Sequence, residues 1–236
     1  MSCYNLKFKL SGKKALSYKP EDSLKNKYPK LKLLTLDTFG MIETNWRYNF
    51  AYGDSHLPYR HRDDNIIARD YGAEFMLKTV GDVQTAGIII SKFTIKNGLI
   101  QVRAMFPCTA ANQLDAIWTM GVNGMPENDV AEWTGDYVTV NRHWGYDYRA
   151  GLKKQMSHIK REAEWFKPYR EFYIYGLELT PYETIFSING VTTLRTEPTN
   201  NDQYIILNSG IQDSRTHVNG VGMIADWIRV YIPELE

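Results

Sequence analysis

Three carboxylates crowd the stretch PENDVAEWTG, residues 126–135, where Glu127, Asp129 and Glu132 fall within six positions. The surrounding residues are strand formers, and side chains alternate along a regular strand. Glu127, Asp129 and Ala131 would then share one face while Glu132 pointed to the other. A β-bulge at Val130–Ala131 adds one residue, resets the alternation and turns Glu132 onto the face that holds Glu127 and Asp129. The two glutamates would have Cα atoms roughly 12–13 Å apart at ordinary strand rise. Side chains leaning toward each other could bring the carboxyl groups near the ~5–5.5 Å used for double displacement at a sugar carbon. Spacing alone does not select that chemistry, because acids at solvent-facing strand positions are common.

The elements that would have to hold these acids are strands almost everywhere. Runs rich in Ile, Val, Thr and aromatics recur between turn signals: AEFMLKTV, GIIISKFTI, LIQVRAMF, YVTVNRHW, EFYIYGLEL, TIFSI, QYIILNSG and MIADWIRVYI. The pattern predicts an all-β sandwich of antiparallel sheets. Asn97-Gly98 and Asn189-Gly190 are the pair that supplies positive φ at a two-residue hairpin, so IFSI-NG-VTTL reads as a hairpin. The one helix candidate is GLKKQMSHIKREAEWF, residues 151–166, whose irregular apolar spacing fits a solvated loop with one helical turn equally well.

A chain of 236 residues is long enough for one large domain with a full core. Its net charge of +1 gives no overall field favouring nucleic acid or an anionic membrane, so neither is an expected partner. No segment approaches ~18 consecutive apolar residues, and the N-terminus lacks an unbroken apolar run of the secretory type. Residues 1–33 hold nine lysines against two acids, which reads as a basic leading segment over 1–34 ahead of a domain spanning 35–236. Cys3 and Cys108 have no metal-ligand spacing, and Cys108 is expected to be a buried thiol.

The flanks of the acidic stretch carry a resemblance. Glu-x-Asp-x-x-Glu on a sandwich strand, preceded by LDAIWTMG (114–121), is similar to the signature of the family-16 glycoside hydrolases, the laminarinase, lichenase, agarase and carrageenase group. TAGIIISKFTIKNGLIQVRAMFP (85–107), FYIYGLELTPYETIFSINGV, YIILN and MIADWIRVYIP resemble further strands of that family in the same order, so the likeness covers about residues 35–234. It implies a concanavalin A-like jelly roll whose concave sheet forms an open polysaccharide cleft. It also implies a retaining endo-glycosidase, acting as a monomer without a catalytic cofactor. Glu127 matches the nucleophile, Glu132 the general acid/base, and Asp129 the helper that hydrogen-bonds the nucleophile.

Sugar binding needs flat apolar surfaces beside hydrogen-bonding groups. Trp118 and Trp133 are the stacking candidates, each with a core position as its alternative. His143, Asn65 and Asn208 match polar residues near the family's cleft. Many members also hold a structural Ca²⁺ on the convex face, and Gly72 and Asp226 occupy the matching positions. Asn128 stands where the motif usually has Ile, Leu179 where it has Trp, and Asn97 and Gln101 replace a Tyr and a Glu, so mixed-linkage glucan recognition is not implied. The substrate classes left are β-1,3-glucan and agar- or carrageenan-type galactan. Arg60, His61, Arg62, Arg142 and His143 would suit a sulfated or acidic glycan if they shared the cleft. Two further classes fit the same sandwich: a non-catalytic lectin or virion-surface glycan binder, and a transglycosylase. A polymer outside cells and an N-terminus with no recognisable secretion signal are reconciled equally by a phage or viral origin, by a leader missing from this sequence, or by export by another route.

Overall fold

The computed structural model describes residues 31–48, 57–147, 152–156 and 166–234. The first strands are β1 (Leu31–Asp37), β2 (Trp46–Tyr48), β3 (Arg60–His61), β4 (Ile66–Arg69), β5 (Gly72–Val80), β6 (Val83–Ala86), β7 (Ile88–Ser91) and β8 (Gly98–Met105). They are followed by β9 (Asp115–Gly121), β10 (Glu127–Trp133), β11 (Val138–Asp147), β12 (Leu152–Met156) and β13 (Tyr173–Leu179). The chain closes with β14 (Thr184–Ile188), β15 (Val191–Thr196), β16 (Gln203–Asn208) and β17 (Gly220–Pro233). A one-turn helix α1 (Ile42–Asn45) and a 3₁₀ turn (Asp63–Asn65) are the described helical pieces. All the named strand pairings are antiparallel except β3 with β6.

These strands form two sheets. One has ten strands, β15-β14-β13-β8-β17-β5-β6-β3 side by side with β1 added on β17 and β4 on β5. The other has seven, in the order β12-β11-β10-β9-β16-β7-β2. The expected sandwich is the one formed. Its core lies between the sheets: Val130, Ala131 and Trp133 of β10 and Val138 and Val140 of β11 join Phe75, Val102, Tyr175, Phe186 and Ile228 of the other sheet. Within it Trp133 stacks on Phe106 at 6.3 Å and on Tyr169 at 6.2 Å between ring centroids.

β1 begins at Leu31 and pairs with the end of β17, so Leu31–Leu34 belong to the ten-stranded sheet; residues 1–30 lie outside the described residues. Buried Asp37 fastens the crossing from that sheet to the other. Its carboxylate accepts the Phe39 backbone N–H at 2.6 Å, the Asn45 amide at 2.9 Å and the Trp46 indole N–H at 2.9 Å.

The two Asn-Gly pairs behave differently. Asn189 and Gly190 have φ of 49° and 78° and turn the β14–β15 hairpin as expected. Asn97-Gly98 makes no hairpin, because β7 before it lies in the seven-stranded sheet and β8 after it in the other. Gly98 is needed there for close approach: a Cβ would stand 2.0 Å from the Tyr231 carbonyl oxygen.

The helix candidate also resolves in part. Residues 152–156 form β12 against β11, and 157–165 lie outside the described residues. Cys108 is buried as expected, but it is not a thiol: it is disulfide-bonded, with its partner outside the described residues. Sequence spacing carries no signal for such a pairing.

Candidate active site

β10 is the centre of the site, and its register shows how the acids come together. Asp129 pairs with Asn141 of β11, and the next pair is Glu132 with Thr139, so Val130 and Ala131 together oppose Val140 alone. On the other flank Asp129 pairs with Trp118 and Ala131 with Ile117. This is a β-bulge at Val130–Ala131, and both bulged residues are buried in the core. Glu127, Asp129 and Glu132 therefore share the outer face of the seven-stranded sheet.

Three cross-strand rows run over that face. Tyr204, Met120, Glu127 and His143 form the first; Arg47, Ile90, Ile206, Trp118, Asp129 and Asn141 the second; Ile88, Asn208, Ala116, Glu132 and Thr139 the third. Each acid thus has a polar neighbour on β11 and an apolar one on β9. The His143 Nε2 lies 2.9 Å from Asp129 Oδ2 and 3.8 Å from Glu127 Oε1. Glu132 Oε2 accepts the Thr139 hydroxyl at 3.3 Å and the Asn141 amide. Asp129 and His143 are buried, whereas Glu127 and Glu132 are half-buried and face outward. Thr139 and Asn141 are absent from the sequence reading. Their signal is the i, i+2, i+4 spacing Thr139-Asn141-His143 on the strand after the acids.

Beside the acids the face turns apolar. Ile88, Ile90, Met120 and Ile206 form a small cluster capped by Trp118 and Tyr204. The Trp118 indole N–H donates to Asn208 Oδ1 at 2.7 Å, which fixes both side chains, and the Arg47 guanidinium lies over the Tyr204 ring at 5.4 Å. Trp118, His143 and Asn208 are thus on the face with the acids. Trp133 is not: it is 2% exposed, packed in the core, with its indole N–H donating to the Cys108 carbonyl at 2.7 Å. The bulge that turns Glu132 outward turns its neighbour inward.

Asn65 also stands elsewhere. Its side-chain amide is 3.0 Å from both the Met76 carbonyl and the Thr85 hydroxyl, so it fastens the 3₁₀ turn to β5 and β6 of the ten-stranded sheet. Nor do the basic residues gather in one cleft. Arg60 and His61 form β3 at the edge of the ten-stranded sheet, and exposed Arg62 pairs with Asp64. Arg142 points into the core, as the strand neighbour of outward-facing His143 must.

Arg142 belongs to a buried polar network beneath Glu127 and Asp129. Its Nη1 donates to Asn128 Oδ1 at 3.0 Å, Thr184 Oγ1 at 3.1 Å and Thr199 Oγ1 at 2.5 Å, and its Nη2 to the Pro198 carbonyl at 3.2 Å. The Asn128 amide donates onward to Thr119 at 3.0 Å and Gln203 at 3.2 Å. These four partners are all neutral. Burial accordingly pulls the guanidinium below its ordinary pKa, an effect Glu197 partly offsets. Asn128 is one of four acceptors of this buried cation, which gives a physical reason for an amide where the resembling motif has Ile. Nearby, burial pushes the core carboxyl of Asp115, on β9, up to about 8 against smaller opposing effects of hydrogen bonds from Ser209 and Gln113.

Gly72 and Asp226 do meet. Gly72 has φ of 124° and packs so closely on β17 that a Cβ would stand 2.7 Å from the Asp226 Cα. The Asp226 carboxylate, however, is ion-paired with Arg103, whose guanidinium also covers the Phe172 ring at 4.4 Å. A Ca²⁺ at that carboxylate would meet a fixed positive charge, so this donor set does not fit the ion.

No protein-family model matches the sequence, and no curated protein matches it. Solved structures do. A glycoside hydrolase family 16 endo-glucanase from Bacteroides ovatus, in complex with G4G3G-2F-DNP, is 17% identical, with 84% of this chain and 99% of that chain covered at a TM-score of 0.71. The laminarinase catalytic domain from Thermotoga maritima is also 17% identical, over 88% of this chain and 100% of that one, at 0.70. β-Agarase B from Zobellia galactanivorans is 15% identical over 87% and 95%, at 0.73. With its two antiparallel-rich sheets, the chain has the jelly-roll fold of the family-16 glycoside hydrolases.

Proposed function

We propose that the protein is a retaining endo-glycosidase that cleaves internal β-linkages of a polysaccharide lying across the outer face of the seven-stranded sheet. The observation that carries this reading is the bulge at Val130–Ala131, which sets Glu127, Asp129 and Glu132 on one face in three adjacent rows. Glu127 would attack the anomeric carbon and form a glycosyl-enzyme; Glu132 would protonate the leaving oxygen and then deprotonate the incoming water. Asp129, held by His143 at 2.9 Å, would hydrogen-bond Glu127 as its charge is consumed. Trp118, fixed by Asn208, offers a flat apolar surface beside the acids for the C–H face of a sugar ring.

β-1,3-Glucan and galactans of the agar and carrageenan type are the substrates of choice, since the fold neighbours include both a laminarinase and an agarase. The test is a depolymerisation screen on laminarin, lichenan, agarose, carrageenan and porphyran, with Glu127→Gln as control. Cleavage by the wild type with an inert, folded Glu127→Gln and retained anomeric configuration is expected. Glycan binding without cleavage would identify a lectin, and lengthened chains a transglycosylase. Undiminished cleavage by Glu127→Gln would remove that residue from its role.

A further inference from the structure

Two of the acids and the histidine form a set with another capacity. The Nε2 of His143 stands 2.9 Å from Asp129 Oδ2 and 3.8 Å from Glu127 Oε1, and one ligand atom from each of the three lies within 4.8 Å of the others. A tetrahedral zinc site with bonds of ~2.0–2.2 Å separates its ligand atoms by roughly 3.3 Å, a value these two distances bracket. Two carboxylates would neutralise a dication, and the fourth position would open outward beside half-exposed Glu127.

We propose that Glu127, Asp129 and His143 bind a divalent transition metal of the zinc class, and that the bound ion blocks the cleft as a reversible inhibitor. One imidazole with two carboxylates selects Zn²⁺ or Cu²⁺ over the oxygen-seeking Ca²⁺ and Mg²⁺. Binding involves no covalent or redox step. The ion takes the Nε2 lone pair, and any proton on that nitrogen moves to Nδ1 or to solvent. Inhibition follows if Glu127 is the nucleophile, because a carboxylate coordinated to metal cannot attack carbon. That consequence rests on the proposed glycosidase function, whereas metal uptake does not.

The experiment is equilibrium dialysis of the full chain against Zn²⁺ alone, with metal content measured per chain and Ca²⁺ dialysed in parallel. One tight Zn²⁺ per wild-type chain is expected, with no comparable Ca²⁺. Loss of an outer-shell partner already weakens metal sites about 10- to 100-fold, so loss of a direct ligand in His143→Asn should weaken uptake at least ~10-fold. His217→Asn, outside the site, should bind as wild type. Should His143→Asn fail to fold by circular dichroism, Glu127→Gln makes the same comparison at a half-exposed position. No uptake by wild type, or uptake unchanged in the folded ligand variant, overturns the proposal. Zn²⁺ binding by a protein that cleaves none of the glycans would preserve the metal site and defeat the glycosidase reading instead.

Discussion

Replacing Asn128 by Ile tests whether the buried guanidinium of Arg142 depends on the amide beside it. The substitution removes a charge-assisted acceptor at 3.0 Å and the partner of donors or acceptors on Thr119, Gln203 and Thr199. A hydrogen bond to a charged group is worth about 1.5–3 kcal/mol and each of the three neutral ones about 1, so the loss comes to roughly 4.5–6 kcal/mol. That meets the upper end of the ~3–5 kcal/mol cost of stripping a partner from a buried charge. For a domain of this size it lowers the melting temperature by roughly 10–20 °C. Arg142→Met should be milder, because Thr184 and Thr199 then keep each other at 2.9 Å and Asn128 keeps Thr119 and Gln203. Asn128 and Arg142 are cross-strand partners, so the double variant places Ile against Met and leaves no buried charge. It is expected to be less damaged than Asn128→Ile alone, a coupling of about 2 kcal/mol. The assay is urea unfolding of wild type, both single variants and the double, with m-values compared. Additive costs within ~0.5 kcal/mol would show that Arg142 finds another acceptor, and the network argument would fail.

Asp115 has a folded pKa of about 8, above its unfolded value, so the folded protein holds a proton that the unfolded chain releases. Stability should therefore fall as pH rises through that window, by roughly 4 kcal/mol between pH 5 and 8, and level off above it. Asp115→Asn should flatten this slope in urea titrations at successive pH values; an unchanged slope would refute it. Glu132→Ala should lose cleavage of natural polysaccharide yet regain turnover of an activated aryl glycoside with azide, and a folded variant inert to azide would sink the acid/base assignment. The two tryptophans should separate cleanly. Trp118→Ala weakens glycan binding, read by affinity electrophoresis, whereas Trp133→Ala costs about 3–5 kcal/mol of stability in thermal unfolding; the reverse outcome would invert their faces.

Much of the site was legible because strands alternate. The odd interval from Asp129 to Glu132 calls for a bulge if both acids are to share a face, and the bulge lies at Val130–Ala131. The same parity, carried one residue further, assigns Trp133 to the core, and applied to β11 it assigns Arg142 to the core once His143 faces outward. Both facings follow from spacing alone. Others were not readable. Asn97-Gly98 has the backbone preference of a hairpin, but which sheet receives the following strand is decided by long-range packing, and Gly98 serves the approach to Tyr231. The partners of Asn65 lie 11 and 20 residues away, and the Arg103–Asp226 ion pair spans 123 positions. No local pattern encodes such contacts.

The bulge makes the catalytic proposal depend on a count rather than on an identity. Of the two intervals between the acids, the first is even and the second odd, and only an inserted residue lets an odd interval return to the same side of a sheet. Deleting Asn128 would alter none of the acids, yet with the register of Asp129 and Glu132 kept it would make the first interval odd and send Glu127 into the interior. A one-codon loss could thus disarm the protein while leaving every functional residue in its sequence.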